Sequence, residues 1–352
     1  METRQNIISL GRETWIDSLR GVGLVLMMVG HCTIPEALRI WIYSFHIPLF
    51  FILSGYLHNG RKWSERGWKA FLKARAFSFL VPYLLWCAIC FVLNLPMLYV
   101  IHPNDFWEAM IQNLGWILTS VKIDGLFLPQ NCTPLWFLTT MFLSQQVFYW
   151  LLKCSSLVQT TASVCFLLFN HLLHRYGMPI LPWHLEVSLI GAILMLIGYQ
   201  INTRGLLTRI RSRMMVLILF LVAGGLGFVN GAAGCVDLYY RNYGSFALFF
   251  LTAALMSFSL MWVFRNVPAL SSWGILSELG RYSIVVLGMH YTINRYAEGC
   301  FQILSVRLPG GKGLAFHWML QTAINAVGCF IAIRIFKHAS RKHGRLSILI
   351  GK

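Results

Sequence analysis

Three ionisable residues, Asp17, Arg20 and His31, interrupt an otherwise apolar run near the start of the chain. Arg20 and His31 are eleven positions apart, about three helical turns, so on a helix they share one face at an axial separation of roughly 16 Å. Asp17 precedes Arg20 by three positions and is its helical neighbour. Imidazole is the side chain best matched to general-base work near neutral pH. A guanidinium stays charged and needs an anion, for which Asp17, a phosphate or a developing negative charge would serve. Charge on an apolar helix is costly unless its stripe faces a polar interior. The plainer alternative, polar residues at helix ends, covers Asp17 and His31 but not the whole stripe.

Other residues carry weaker signals. Lys73-Ala-Arg75 precedes an apolar run and reads as a phosphate clamp or as simple membrane anchoring. Ser54, beside Gly55, has no base next to it in sequence, and small residues in membrane helices usually mark packing. Ser54, Trp136, Glu186 and His290 are candidates to line a substrate path, with packing or interfacial roles as the alternative. His171 and His174 have a metal-compatible spacing but no third ligand, so no metal site is expected. Cys87 and Cys90 read as small packing residues, while Cys132 and Cys235 fall in expected outer loops where they could pair.

The elements that must hold these residues are membrane helices. Of 352 residues, 57% are hydrophobic and only 12% charged, half the charged share of an ordinary soluble domain, about 25%. Runs long enough to cross a bilayer fall near 16–33, 41–58, 77–100, 134–152, 157–174, 184–201, 214–230, 245–264, 281–297 and 314–336. The fold expected is an all-α, polytopic membrane bundle of about ten helices forming one domain over residues 1–352. The net charge of +17 is spread between apolar runs, which argues against nucleic acid and for topology signals and anionic-lipid contacts. Lys and Arg crowd the segments after the second and sixth runs and the C-terminal tail, whereas the alternate loops hold few. The positive-inside rule therefore puts both termini in the cytoplasm, with Arg20 near the inner and His31 near the outer end of the first helix. No signal peptide, internal repeat or appended soluble domain is evident.

Asp17-Ser18-Leu19-Arg20, then ten residues, then His31, followed by Phe45-His46-Ile47-Pro48-Leu49-Phe50-Phe51 and Ser54-Gly55-Tyr56, resembles the membrane acyltransferase-3 family, in particular its fucose 4-O-acetylase-like branch. Pro134-Leu135-Trp136, Leu181-Pro182-Trp183 with Glu186, and Leu279-Gly280-Arg281-Tyr282-Ser283 to His290 are similar to later landmarks of that branch. The resemblance implies about ten membrane helices in the inner (cytoplasmic) membrane. It also implies transfer of an acyl group, usually acetyl from acetyl-CoA, to a sugar hydroxyl of a surface glycan or its lipid-linked precursor. It makes Arg20 and His31 the essential pair, and matches Lys73 and Arg75 to the family's basic cluster only in part. Many relatives carry a glutamate after the tryptophan that Trp136 matches; here Phe137-Leu138-Thr139-Thr140 follow and no acid is present. Two alternatives stand beside this reading: a transporter or flippase of a lipid-linked sugar, and the same enzyme type with another acyl group such as succinyl.

Overall fold

A computed structural model describes residues 13–121, 133–232, 234–271, 273–307, 317–342 and 344–351. Its helices in chain order are α1 (Thr14–Gly30), α2 (Glu36–Tyr43), α3 (His46–Tyr56), α4 (Gly60–Arg75), α5 (Val81–Ile101), α6 (Phe106–Thr119), α7 (Trp136–Leu151) and α8 (Ser156–Arg175). There follow α9 (Leu185–Thr203), α10 (Leu206–Arg209), α11 (Arg213–Gly231), α12 (Phe246–Asn266), α13 (Pro268–Ser271), α14 (Gly274–Arg281), α15 (Ser283–Arg307) and α16 (His317–Lys342). There is no named strand among the described residues, and most of the described part of every expected apolar run lies on helix. Among the described residues, seven helical segments are long and apolar enough to cross a membrane. The protein is a helical membrane bundle.

Several elements differ in detail from the sequence expectation. The second run is two helices, because Phe45 leaves helical geometry (φ −147°, ψ −18°) and starts α3 at His46. The basic segment after it is a helix, α4, broken at Gly67, whose φ of 75° suits glycine alone without strain. Between α4 and α5 the backbone widens into a π turn over Ala76–Leu80. Pro82 explains it: the ring has no N–H for the carbonyl four residues back and crowds it, and a wider turn relieves both. The long segment after α5 contains α6, whose end is tied inward by Tyr83 Oη donating to the Ile117 carbonyl (2.6 Å). Cys132 lies outside the described residues.

Two crossings set the frame around α1 and α3. A Cβ on Gly21 would lie 2.0 Å from the Leu276 carbonyl oxygen, and one on Gly280 1.8 Å from that of Asp17. A Cβ on Gly55 would lie 1.9 Å from the Met195 oxygen, and one on Gly198 1.8 Å from that of Ile52. Both crossings, α1 on α14 and α3 on α9, thus bring backbone against backbone through a glycine on each partner. In lipid, where apolar surface gains nothing by leaving its surroundings, such close packing is what holds helices together. After α16 the chain turns back as a 3₁₀ segment, Gly344–Ile350, anchored where Trp86 Nε1 donates to the Leu349 carbonyl (3.3 Å).

Candidate active site

Arg20, Leu24, Met27 and His31 all face one cavity of about 610 Å³. Their spacing is four, three and four residues, the repeat that keeps side chains on one helical face. The stripe read from the sequence is therefore the α1 wall of a cavity. Phe50, Leu53 and Leu287 continue the apolar part of that wall.

At one end Arg20 faces the cavity together with Arg281 and Ser283. Asp17, buried beneath, pairs with Arg20 at 3.8 Å. The Gly280 crossing places the end of α14 against the Asp17 turn of α1, which is why Arg281 arrives at this end. Ile348, Ile350 and Gly351 of the returning tail complete the lining.

At the other end α1 stops at Gly30 and His31 caps it. The last carbonyls of a helix have no partner within it, and here other helices supply them. Tyr43 Oη donates to the Gly30 carbonyl (3.2 Å) and Asn294 Nδ2 to that of His31 (2.9 Å). His31 is thereby clamped between α2 and α15. Its ring lies 5.3 Å from the rings of both Tyr291 and His290, centroid to centroid. His46 also lines the cavity, 4.9 Å from the Tyr43 ring. The His46 Nδ1 lies 2.9 Å from the Ile42 carbonyl. A carbonyl only accepts, so this nitrogen carries the proton and Nε2 is left as the basic atom.

The loop after α11 closes this end. Asp237 pairs backbone to backbone with Asn242 and lines the cavity beside Tyr239 and Tyr240. Burial holds the Asp237 carboxyl above the usual carboxylate range, against the opposing effect of the Tyr239 and Tyr240 backbone N–H groups that bond it. Trp136 reaches the cavity from the start of α7, its ring 5.6 Å from that of Tyr239.

Of the residues singled out from sequence, the cavity collects Arg20, His31, Ser54 and Trp136. Ser54 accepts from Gln145 Nε2 at 2.9 Å. His290 is fully buried behind His31. Glu186 is buried off the cavity, 3.9 Å from Arg241, and accepts from the Leu181 amide (3.4 Å). Lys73 is exposed and Arg75 lies over the Trp63 and Phe71 rings at 5.2 and 5.0 Å; neither lines the cavity. Sequence reasoning gave no role to Tyr43, His46, Asp237, Arg281 or Tyr291. His46 and Arg281 sat inside the quoted motifs and carried a legible signal; the others did not.

Over 89 residues the chain is 33% identical to the nodulation protein NolL of Sinorhizobium fredii. That match takes in 22% of this chain and 24% of the relative, so it spans about a quarter of that protein's length. No solved structure matches the chain. The family model described as an acyltransferase domain matches residues 13–336, from the residue before α1 to Phe336 in α16 and so across both ends of the cavity. The protein belongs to the acyltransferase-3 family and is a multi-pass membrane protein.

Proposed function

We propose that this protein is an O-acyltransferase that moves an acetyl group from acetyl-CoA to a sugar hydroxyl of a cell-surface polysaccharide or its lipid-linked precursor. In this reading it groups with the fucose 4-O-acetylase-like enzymes. The observation that carries the reading is one cavity with guanidinium groups at one end, imidazoles at the other and an apolar wall between. That order matches a donor with an anionic head, a long arm and an electrophilic thioester at its tip. The charge asymmetry of the loops supports an inner-membrane orientation with the Arg20 end toward the cytoplasm, where acyl-CoA is available. Arg20 and Arg281 receive phosphate oxygens, and Arg20 suits this because its planar fork engages two of them at once.

His31 acts as general base. It takes the proton of the acceptor hydroxyl as the oxygen attacks the thioester carbonyl; the new C–O bond forms, the C–S bond breaks, and the proton passes to the departing thiolate. Trp136, Tyr239 and Tyr240 offer ring faces, and Asp237 an acceptor group, of the kinds that recognise a sugar at the outer end. The roughly 16 Å expected between three-turn neighbours on a helix separates the roles of Arg20 and His31: one holds the donor, the other works on the acceptor.

The test is mass spectrometry of surface glycan from cells lacking the gene, complemented with the native chain or with His31→Ala. A gain of acetyl mass with the native chain and none with the variant, at equal membrane levels, is the expected result. Unchanged glycan chemistry with altered glycan abundance would replace the reading with transport. A succinyl mass would keep the enzyme and change its donor.

A further inference from the structure

His290 has no place in the step just described, yet it is fully buried and its ring is tilted by 37° against that of His31. Its Nδ1 lies 2.9 Å from the Val286 carbonyl and 3.1 Å from the Leu287 carbonyl. Both are acceptors only, so Nδ1 must carry the proton and the tautomer of His290 is fixed by its own helix. The remaining nitrogen, Nε2, is then a lone-pair acceptor; it is buried and makes no hydrogen bond among the described residues. A buried acceptor without a donor is costly to maintain. His31 is the ring beside it, at a centroid separation of 5.3 Å. Two imidazoles joined edge to edge by one N–H···N bond of about 3 Å stand about 5 Å apart between centroids, so a small rotation of the His31 side chain completes the bond.

We infer that His290 is the positioning residue of the candidate base: its Nε2 accepts the N–H of His31, which turns the other His31 nitrogen, unprotonated, toward the acceptor hydroxyl. This rests on the reading of His31 as general base. When His31 takes the hydroxyl proton it becomes an imidazolium, and no carboxylate of a described residue forms an ion pair with it. The Nε2 lone pair faces that charge without changing its own protonation. No atom is transferred to His290; it orders one tautomer before the step and supports the cation during it. Asn294, one turn further along α15, holds the His31 carbonyl (2.9 Å), so one helix fixes both the backbone and the ring of the base.

The test compares His290→Gln, which keeps an oxygen acceptor, with His290→Met, which keeps length and loses it. Both are assayed as full-length protein with acetyl-CoA and a sugar acceptor identified from the glycan experiment. Expected are a kcat within about tenfold of native for Gln and a loss of about 100-fold for Met, with KM for acetyl-CoA unchanged in both. Equal kcat in the two variants, whether both are active or both are lost from the membrane, overturns the proposal. If Met alone fails to accumulate, His290→Leu takes its place under the same criterion. Activity surviving His31→Ala would instead sink the general-base reading itself, so the two failures are distinguishable.

Discussion

The two ends of the cavity are built on different principles. At the Arg20 end the functional charge is held by a neighbour three residues away on the same helix, and the side chain stays 31% exposed. At the other end none of the ion pairs among the described residues includes His31. The base is instead fixed by hydrogen bonds and ring contacts from α2 and α15, up to 263 residues away in sequence. A flexible cation suits a solvated phosphate, whose binding tolerates small displacements. A proton transfer does not: donor and acceptor must meet within hydrogen-bond distance, so its base is braced from several sides.

Perturbing each end should therefore leave a different kinetic trace. His31→Ala should lower kcat by at least about 10³-fold, with acetyl-CoA binding measured by calorimetry retained; lost binding would erase the division of labour. Arg20→Ala should raise KM for acetyl-CoA by about 100-fold with a smaller change in kcat, and Arg20→Lys should fall between, because an ammonium keeps the charge and loses the fork. Tyr43→Phe removes one neutral hydrogen bond to the α1 terminus, about 1 kcal/mol, and should lower kcat about fivefold without moving KM. Asp17→Asn breaks a long ion pair of at most about 1 kcal/mol and should raise KM for acetyl-CoA two- to threefold, read from initial rates. If Tyr43→Phe moved KM and Asp17→Asn moved kcat, the contrast between the ends would be wrong.

The Arg20 end was the more legible in sequence for the same reason. Asp17, Arg20, Leu24, Met27 and His31 lie on one helix, and helical periodicity alone puts them on a common wall. Arg281 reaches that wall only because Gly21 and Gly280 let α14 touch α1, and no local pattern announces which helix a glycine will meet. The outer lining is harder still. Tyr43, Asp237 and Tyr291 belong to three segments whose apposition is tertiary. Charge alone does not report position: Lys73 is exposed, Arg75 is covered by rings and Glu186 by Arg241, and none of the three lines the cavity. Helix existence followed from hydropathy. The breaks at Phe45 and Gly67 did not, because they depend on backbone angles that apolar content does not report.

The glycine crossing of α1 on α14 has one more consequence. Because carbonyl meets Cα at both Gly21 and Gly280, α1 cannot slide along α14 without a steric clash, so Arg20 stays in register with Arg281, while the rise of α1 alone sets the axial interval from Arg20 to His31. On the proposed function, α1 is a ruler with its zero at the guanidinium and its mark at the imidazole. A donor whose head-to-thioester length differed by one helical turn, about 5.4 Å, would carry its carbonyl past the mark or leave it short. In that reading donor arm length is selected by the fold itself, before any side chain touches the acyl group.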